Sequence, residues 1–242
     1  MKLVIAIPSR YSSKRFPGKP LAIIKGKPMI EWVYEKAKKV REILEKSFDR
    51  IEIIIATDDE RIKRVCEKFN AKVILTYSSI PSGTDRIYHA TKDMDYDYIV
   101  NLQGDEPTIF ENDLVRLIEE TVKNGYPSAT LVKRTSEGID SPDSVKVVID
   151  NEGKALYFSR AKIPFGRDFT PPFYLKHIGV YIYRKDILEK FVNLKEGYLE
   201  SIEKLEQLRL LENGVSIYCI FAERDTVPVD RKEDIKKAEK FL

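Results

Sequence analysis

Four short apolar runs punctuate the first hundred residues: "KLVIAI", "IEIIIAT", "KVIL" and "YIVNLQ". They are apolar along their whole length rather than at every second position, so each predicts a strand covered on both faces. Helical spacing fills the intervals. Pro28 can open a helix at its first turn. Met29, Ile30, Trp32, Val33, Ala37, Val40, Ile43 and Leu44 then follow with helical period to about Phe48. Asp58 or Asp59 starts a second helix through "RIKRVCEKF", Ser82 or Thr84 opens a third over 84–93, and a fourth lies near Asn112–Lys123. Strand and helix in strict alternation specify an α/β fold: a parallel sheet with helices on both faces. Ligands in such sheets sit at the carboxyl ends of the strands. Three polar segments fall there: the loop "RYSSKRFPGKPL", the pair Thr57-Asp58, and "QGDEP".

Beyond residue 127 the pattern changes. "SATLVKR", "VKVVID" and "ALYFSR" predict short strands, and "KHIGVYIYR" predicts an aromatic-rich one. Segment 164–173 is irregular and apolar, and "KHIGVYIYR" together with residues 163–173 is expected to expose more aromatic surface than a monomer usually tolerates, which predicts a two-fold dimer. A helix is expected over Tyr198–Asn213 with Gly214 as its stop, then a late strand "SIYCIFA" and a final helix over 231–242. No low-complexity linker or internal repeat separates the halves.

The basic loop carries Arg10, Lys14, Arg15 and Lys19 and no acid. The net charge is only +3, yet residues 1–30 hold seven Lys/Arg and no Asp/Glu, leaving 35 cations against 39 anions elsewhere. Charge this local suits a small anion rather than a nucleic-acid backbone. Arg offers forked hydrogen bonds and Lys a compact charge, a combination that can wrap a triphosphate. Neither G-x-x-x-x-G-K-[ST] nor G-x-G-x-x-G is present. A solvated charge run is the alternative, and the loop's place after the first strand argues against it. Asp105 of "QGDEP" would face that anion at the sheet edge, where a carboxylate is a natural Mg²⁺ ligand; an ordinary Gly-Asp turn is the alternative. Ser82, Gly83 and Thr84 either present groups to a base or ribose or simply cap a helix. Asp230 precedes the last helix, where it can cap and still offer an oxygen to a metal.

Cys66 and Cys219 lie far apart and make neither a disulfide framework nor a metal cluster. A reducing cytosol is the expected home. No secretory signal and no run of membrane-spanning length is read in the chain, so no membrane insertion is expected.

The chain has two His and two Gln, and His177 and Gln207 both fall in the second half, near Arg160, Tyr181 and Glu206. Here the residues resemble a known family. "IPSRYSSKRFPGKPL", "QGDEP", "VKVVIDNEGKALYFSRAKIPF", "KHIGVYIYR" and "LEQLRLLENG" resemble the 3-deoxy-manno-octulosonate cytidylyltransferases, the CMP-KDO synthetases, over essentially the whole chain and in the same order. The resemblance implies a nucleotide-diphospho-sugar transferase fold: a Rossmann-like mixed sheet with helices on both faces and a smaller β-rich dimerisation subdomain. It implies one domain over 1–242, with residues 1 to about 127 binding nucleotide and about 128–242 binding sugar and dimerising. The implied protein is a cytoplasmic homodimer that takes CTP and KDO to CMP-KDO and pyrophosphate for lipopolysaccharide assembly, with Mg²⁺.

By the same resemblance Arg10 and Lys19 hold the triphosphate with Arg15 assisting, and Gln103 lies beside the ribose. Asp105 and Asp230 hold Mg²⁺, and Arg160, His177, Tyr181, Glu206 and Gln207 form the sugar-acid pocket. Two departures stand out: "IPSGTDR" has Pro81 where many relatives read "HQSGTER", beside the cytosine-binding turn, and segment 165–173 is shorter than in many members. Two rivals remain. One is a CMP-activating enzyme for another sugar acid, such as sialic acid or an amino-KDO; the other is a non-catalytic nucleotide-binding regulator, which should lack one of the two carboxylates.

Overall fold

In the computed structural model, residues 1–13 and 15–242 are described; Lys14, one of the four cations of the basic loop, lies outside the described residues. The chain divides into two compact units, Met1–Val115 with Asp225–Leu242, and Arg116–Arg224. The division expected near residue 127 within one domain is one of function, and the compact units do not follow it. The boundary falls earlier, and the last eighteen residues return to the first unit, because Val229 and Ala238 are buried in its core with Phe16, Ile24 and Met29.

In the first unit β1 (Lys2–Ser9) is followed by a 3₁₀ turn at Lys19–Leu21 and a two-residue ribbon, β2 (Ile23–Ile24) and β3 (Lys27–Pro28). Helix α1 (Met29–Leu44), β4 (Arg50–Thr57), α2 (Glu60–Glu67), β5 (Lys72–Leu75), α3 (Gly83–Thr91) and β6 (Tyr98–Leu102) then alternate, and α4 (Glu111–Asn124) runs through the boundary. Strands β6, β1, β4 and β5 pair in that order, all parallel. Every residue from Leu3 to Ser9 is buried, so both faces of β1 are covered, as its unbroken apolar run requires. Caps set the helix starts. Asp59 accepts from the Arg61 backbone N–H to open α2, and Ser82 accepts from the Asp85 N–H to open α3. Helix α1 ends at Leu44 rather than near Phe48.

The second unit holds β7 (Ser128–Thr135), β8 (Lys146–Ile149), β9 (Ala155–Ser159), β10 (Tyr174–Arg184), α5 (Lys185–Asn193), α6 (Tyr198–Glu203), α7 (Leu208–Glu212) and β11 (Tyr218–Phe221). Strand β7 pairs antiparallel with β10 and parallel with β11; β8 pairs antiparallel with both β10 and β9. The chain then returns to the first unit and ends in α8 (Lys232–Ala238). The mixed α/β architecture expected from the sequence is the one found.

Two expectations fail here. The helix over Tyr198–Asn213 is broken, since Lys204 adopts a left-handed φ of 53° and closes α6. Glu203 pins the break by accepting from Ser159 Oγ at 2.5 Å and from the Arg160 N–H at 2.9 Å. The aromatics of β10 were expected at the surface, yet Tyr174, Tyr181 and Tyr183 are buried. Exposed instead are Phe165 (86%), Phe169 and Phe173 of the irregular segment before that strand, with other exposed aromatics such as Tyr77 and Tyr198 elsewhere.

Candidate functional site

The basic loop is held by one apolar anchor and one turn. Phe16 is buried against Ile24, Met29 and Val229, so the loop cannot drift from the sheet edge. Gly18 adopts φ +71° and its N–H donates to Tyr11 O at 2.8 Å. A Cβ at Gly18 would come within 3.1 Å of the Tyr11 ring, so the tight return toward Lys19 favours glycine.

Asp105 follows β6 in a turn pressed onto β1: a Cβ on Gly104 would lie 2.9 Å from Pro8 O. Asp230 is brought beside it through the backbone, where the Val229 N–H donates to Asp105 O at 2.9 Å. The two carboxylates and the loop cations then meet. Lys19 Nζ stands 2.5 Å from Asp105 Oδ2 and 3.1 Å from Asp230 Oδ1, and Arg15 lies 2.9 Å from Asp230 Oδ2. Burial pulls the Lys19 pKa down, but the ion pairs and hydrogen bonds to Asp105 and Asp230 outweigh it and hold the ammonium above its ordinary value. The helix-cap reading of Asp230 falls, because the residue at the N-cap of α8 is Arg231 and the Asp230 carboxylate faces the cations instead.

These groups line a cavity of about 410 Å³ with Pro8, Ser9, Arg10, Gly83 and Gln103. Within this lining Arg15, Lys19, Asp105 and Asp230 form one ion cluster, and Gly83 stands against Pro8 and the Gln103 amide. Arg10 NH1 donates to Pro81 O at 3.2 Å, tying the loop to the turn before α3. Gln103 Nε2 donates to Asn101 Oδ1 at 2.9 Å, and Asn101 Nδ2 to Thr84 Oγ1 at 3.1 Å. Thr84 is therefore a buried link beneath the floor, and the Ser82 hydroxyl is the plain cap; of the three, only Gly83 lines the cavity. Asp58 also serves the framework: it pairs at 3.0 Å with the fully buried Arg86, which also reaches Thr76 Oγ1.

Among the described residues no group of three or more His, Cys, Asp or Glu could hold a metal. The pair Asp105 and Asp230 does fit a divalent cation: two carboxylates converge on one point, and a lysine ammonium stands there as the compensating charge. A hard cation completes its shell with water and phosphate oxygens and needs only one or two such ligands.

In the second unit the expected sugar residues divide. His177 and Tyr181 meet at 5.2 Å between ring centroids, and His177 packs edge-on to Phe158. His177 Nε2 lies 3.1 Å from Thr130 Oγ1, and burial pushes the imidazole down to about 3, so it is neutral. Burial first, then Tyr183 and the Glu206 charge, raise the Tyr181 hydroxyl well above its usual value; Glu206 thus faces the same cluster. Gln207 is 3% exposed and its Nε2 has no hydrogen-bond partner among the described residues. Arg160 is different. Its guanidinium donates to the carbonyls of Glu203 (2.8 Å), Pro142 (2.9 Å) and Lys204 (3.3 Å), so it binds backbone and is not held ready for a carboxylate. Lys146 repeats the pattern: fully buried, it donates to the carbonyls of Ser141, Ser144 and Arg160. Both cysteines are free and buried, with thiols pushed up to about 12, so neither is a poised nucleophile. No helix among the described residues is long and apolar enough to cross a membrane.

The cytidylyltransferase family profile matches residues 4–217. The 8-amino-3,8-dideoxy-manno-octulosonate cytidylyltransferase of Shewanella sp. (strain ANA-3) is 44% identical over 250 residues, covering 100% of this chain and 99% of that protein. The enzyme of the same description from Shewanella sediminis (strain HAW-EB3) is 45% identical over 249 residues with the same coverage. Among solved structures, a CMP:2-keto-3-deoxy-manno-octonic acid synthetase complexed with CTP superposes with a TM-score of 0.91 at 40% identity, covering 99% of this chain and 98% of that one. A 4-diphosphocytidyl-2C-methyl-D-erythritol synthase from Anaerococcus prevotii, 17% identical with a TM-score of 0.64, shares the fold alone.

Proposed function

The chain belongs to the cytidylyltransferase family, as a KDO-type member, and from that premise we propose that it transfers CMP from CTP to the anomeric hydroxyl of KDO, releasing pyrophosphate. The observation that carries this reading is the ion cluster of Lys19, Arg15, Asp105 and Asp230 in a cavity that Gly83 and the Gln103 amide also line. A nucleoside triphosphate offers phosphate charge to the first group and hydrogen-bonding base and ribose atoms to the second. The likeness to a synthetase solved with CTP supports cytidine as its base.

The hydroxyl oxygen of the sugar attacks the α-phosphorus. The bond from that phosphorus to the bridging oxygen breaks, and pyrophosphate leaves in line as the hydroxyl proton passes to solvent. This chain's work is positioning and charge compensation. Lys19, Arg15 and Arg10 neutralise the β- and γ-phosphates and the charge that grows on the leaving group. Asp105 and Asp230 would hold Mg²⁺, which when bound supplies charge at the α-phosphate and favours ionisation of the attacking hydroxyl. Neither residue is missing, which disfavours a non-catalytic regulator. His177, Tyr181, Glu206 and Gln207 orient the sugar by hydrogen bonds to its hydroxyls. Arg160 anchors the turn at Glu203–Lys204 and turns to the sugar carboxylate only by giving up carbonyl partners.

A second sugar is favoured by the relatives, which are named for 8-amino-3,8-dideoxy-manno-octulosonate. The deciding experiment is pyrophosphate release with CTP, Mg²⁺ and each sugar in turn. Turnover with KDO at least tenfold above the 8-amino sugar supports the reading; the reverse moves the assignment to the amino sugar, and no release with either sinks both. The product would serve lipopolysaccharide assembly in the cytoplasm. A homodimer is part of the same proposal: exposed Phe165, Phe169 and Leu156 offer apolar surface that a monomer seldom leaves open. Light scattering at micromolar concentration tests it, and a monomer mass counts against it.

A further inference from the structure

Ser9 is the last residue of β1 and is 3% exposed, yet its Oγ has no hydrogen-bond partner among the described residues. Gln103, which also lines the cavity, is satisfied internally by Asn101, and behind the lining Asn101 is satisfied by Thr84 and Ser82 by Asp85. A buried hydroxyl left alone costs free energy that an alanine in its place would not. Its place in the cavity lining says where a partner would come from. The segment Pro8–Ser9–Arg10 is pressed against Gly83, Gly104 and Pro81. A Cβ on Gly83 would meet Pro8 Cγ at 3.4 Å, a Cβ on Gly104 would meet Pro8 O, and Arg10 reaches Pro81 O. The ion cluster of Lys19 and Arg15 has its own cations for phosphate and needs no hydroxyl.

We propose that the Ser9 hydroxyl is a nucleoside-binding group, hydrogen-bonded to the base or ribose of the nucleotide rather than to its phosphates, and that it contributes to selection of the nucleoside. The proposal rests on the nucleotide reading of the cavity. A hydroxyl both donates and accepts, so it can meet a base amino group, a base carbonyl or a ribose hydroxyl. Ser9→Ala would then remove one ligand bond while relieving an unsatisfied group in the free protein.

Calorimetric titration of wild type and Ser9→Ala with CTP and with inorganic tripolyphosphate tests this, beside a melting curve. The expected result is a CTP affinity lower by about 3- to 10-fold, an unchanged tripolyphosphate affinity, and a melting temperature equal or higher. Repeating the pair with dCTP and UTP assigns the group. Loss of the Ser9→Ala penalty with dCTP places the bond on the ribose 2′-hydroxyl, and loss with UTP places it on the base. Equal weakening of CTP and tripolyphosphate, an unchanged CTP affinity, or a lower melting temperature each overturns the proposal. Wild-type protein that binds CTP no better than tripolyphosphate overturns the nucleotide reading itself, and the Ser9 proposal with it.

Discussion

Lys19 and Asp105, 86 residues apart in sequence, meet at 2.5 Å, and the same ammonium reaches Asp230 at 3.1 Å. One cation thereby bridges the two carboxylates assigned to the metal. The carboxylates and the nucleotide phosphates compete for Lys19, so binding of CTP should release the carboxylates as it engages the lysine. Lys19→Ala should therefore weaken CTP by about 10-fold or more, the worth of a charge-assisted bond, and weaken CMP much less. Equal loss for the two nucleotides would move Lys19 to the α-phosphate.

The same bridge makes a prediction for metal without nucleotide. A divalent cation and an ammonium repel at one carboxylate pair. Nucleotide-free Lys19→Ala should bind Mn²⁺ more tightly than wild type by paramagnetic relaxation of water protons. Equal affinity would mean that Lys19 does not guard the site.

Asp105→Asn keeps the shape of the turn and removes one charge. The fold and much of the nucleotide affinity should survive, and turnover should fall on the order of 10²-fold or more. Turnover equal to wild type at matched Mg²⁺ would take Asp105 out of the metal site.

The first unit was legible because its signals are local. An unbroken apolar run from Leu3 to Ile7 reads as a covered strand, and the loop directly after it brings Arg10, Arg15 and Lys19 to the cavity at the sheet edge. What sequence left open were choices settled by distant partners. Asp230 is a plausible cap by position; only the contact of Val229 with Asp105, and the cations opposite, decide its role. The helix over 198–213 has a continuous apolar period, but Glu203 is captured by Ser159 and Arg160, which no helical pattern encodes. Helix α5 was missed because it abuts β10 without a turn, though Ile187, Leu188 and Phe191 carry its spacing. Ser9 was missed as a site residue because it sits inside the strand; the one available signal was a hydroxyl at the carboxyl end of a buried run.

Gln207 separates a sugar-binding role from a packing role. Its buried Nε2 lacks a partner among the described residues, so truncation removes no bond of that nitrogen to them. Gln207→Ala should raise the KM for the sugar by about 2- to 10-fold, leave CTP binding near normal and barely move the melting temperature. A sharp fall in melting temperature with both substrates affected alike would make it a packing element.

His177 gives the acid limb of stability a specific origin. Its imidazole is held neutral, with a folded pKa of about 3 against an ordinary 6.5. The unfolded chain therefore takes up a proton at His177 that the folded chain refuses, and stability at this residue falls as pH drops from about 6.5 toward 3. Above that window the contribution is flat, since both states are neutral. His177→Gln cannot titrate and can still meet Thr130 Oγ1, which the histidine contacts at 3.1 Å. The urea midpoint of this variant, followed from pH 7 to pH 4, should decline less steeply than that of wild type while the two differ little in slope between pH 7 and pH 8. Parallel curves across the acid range would show that His177 takes up its proton in the folded protein too.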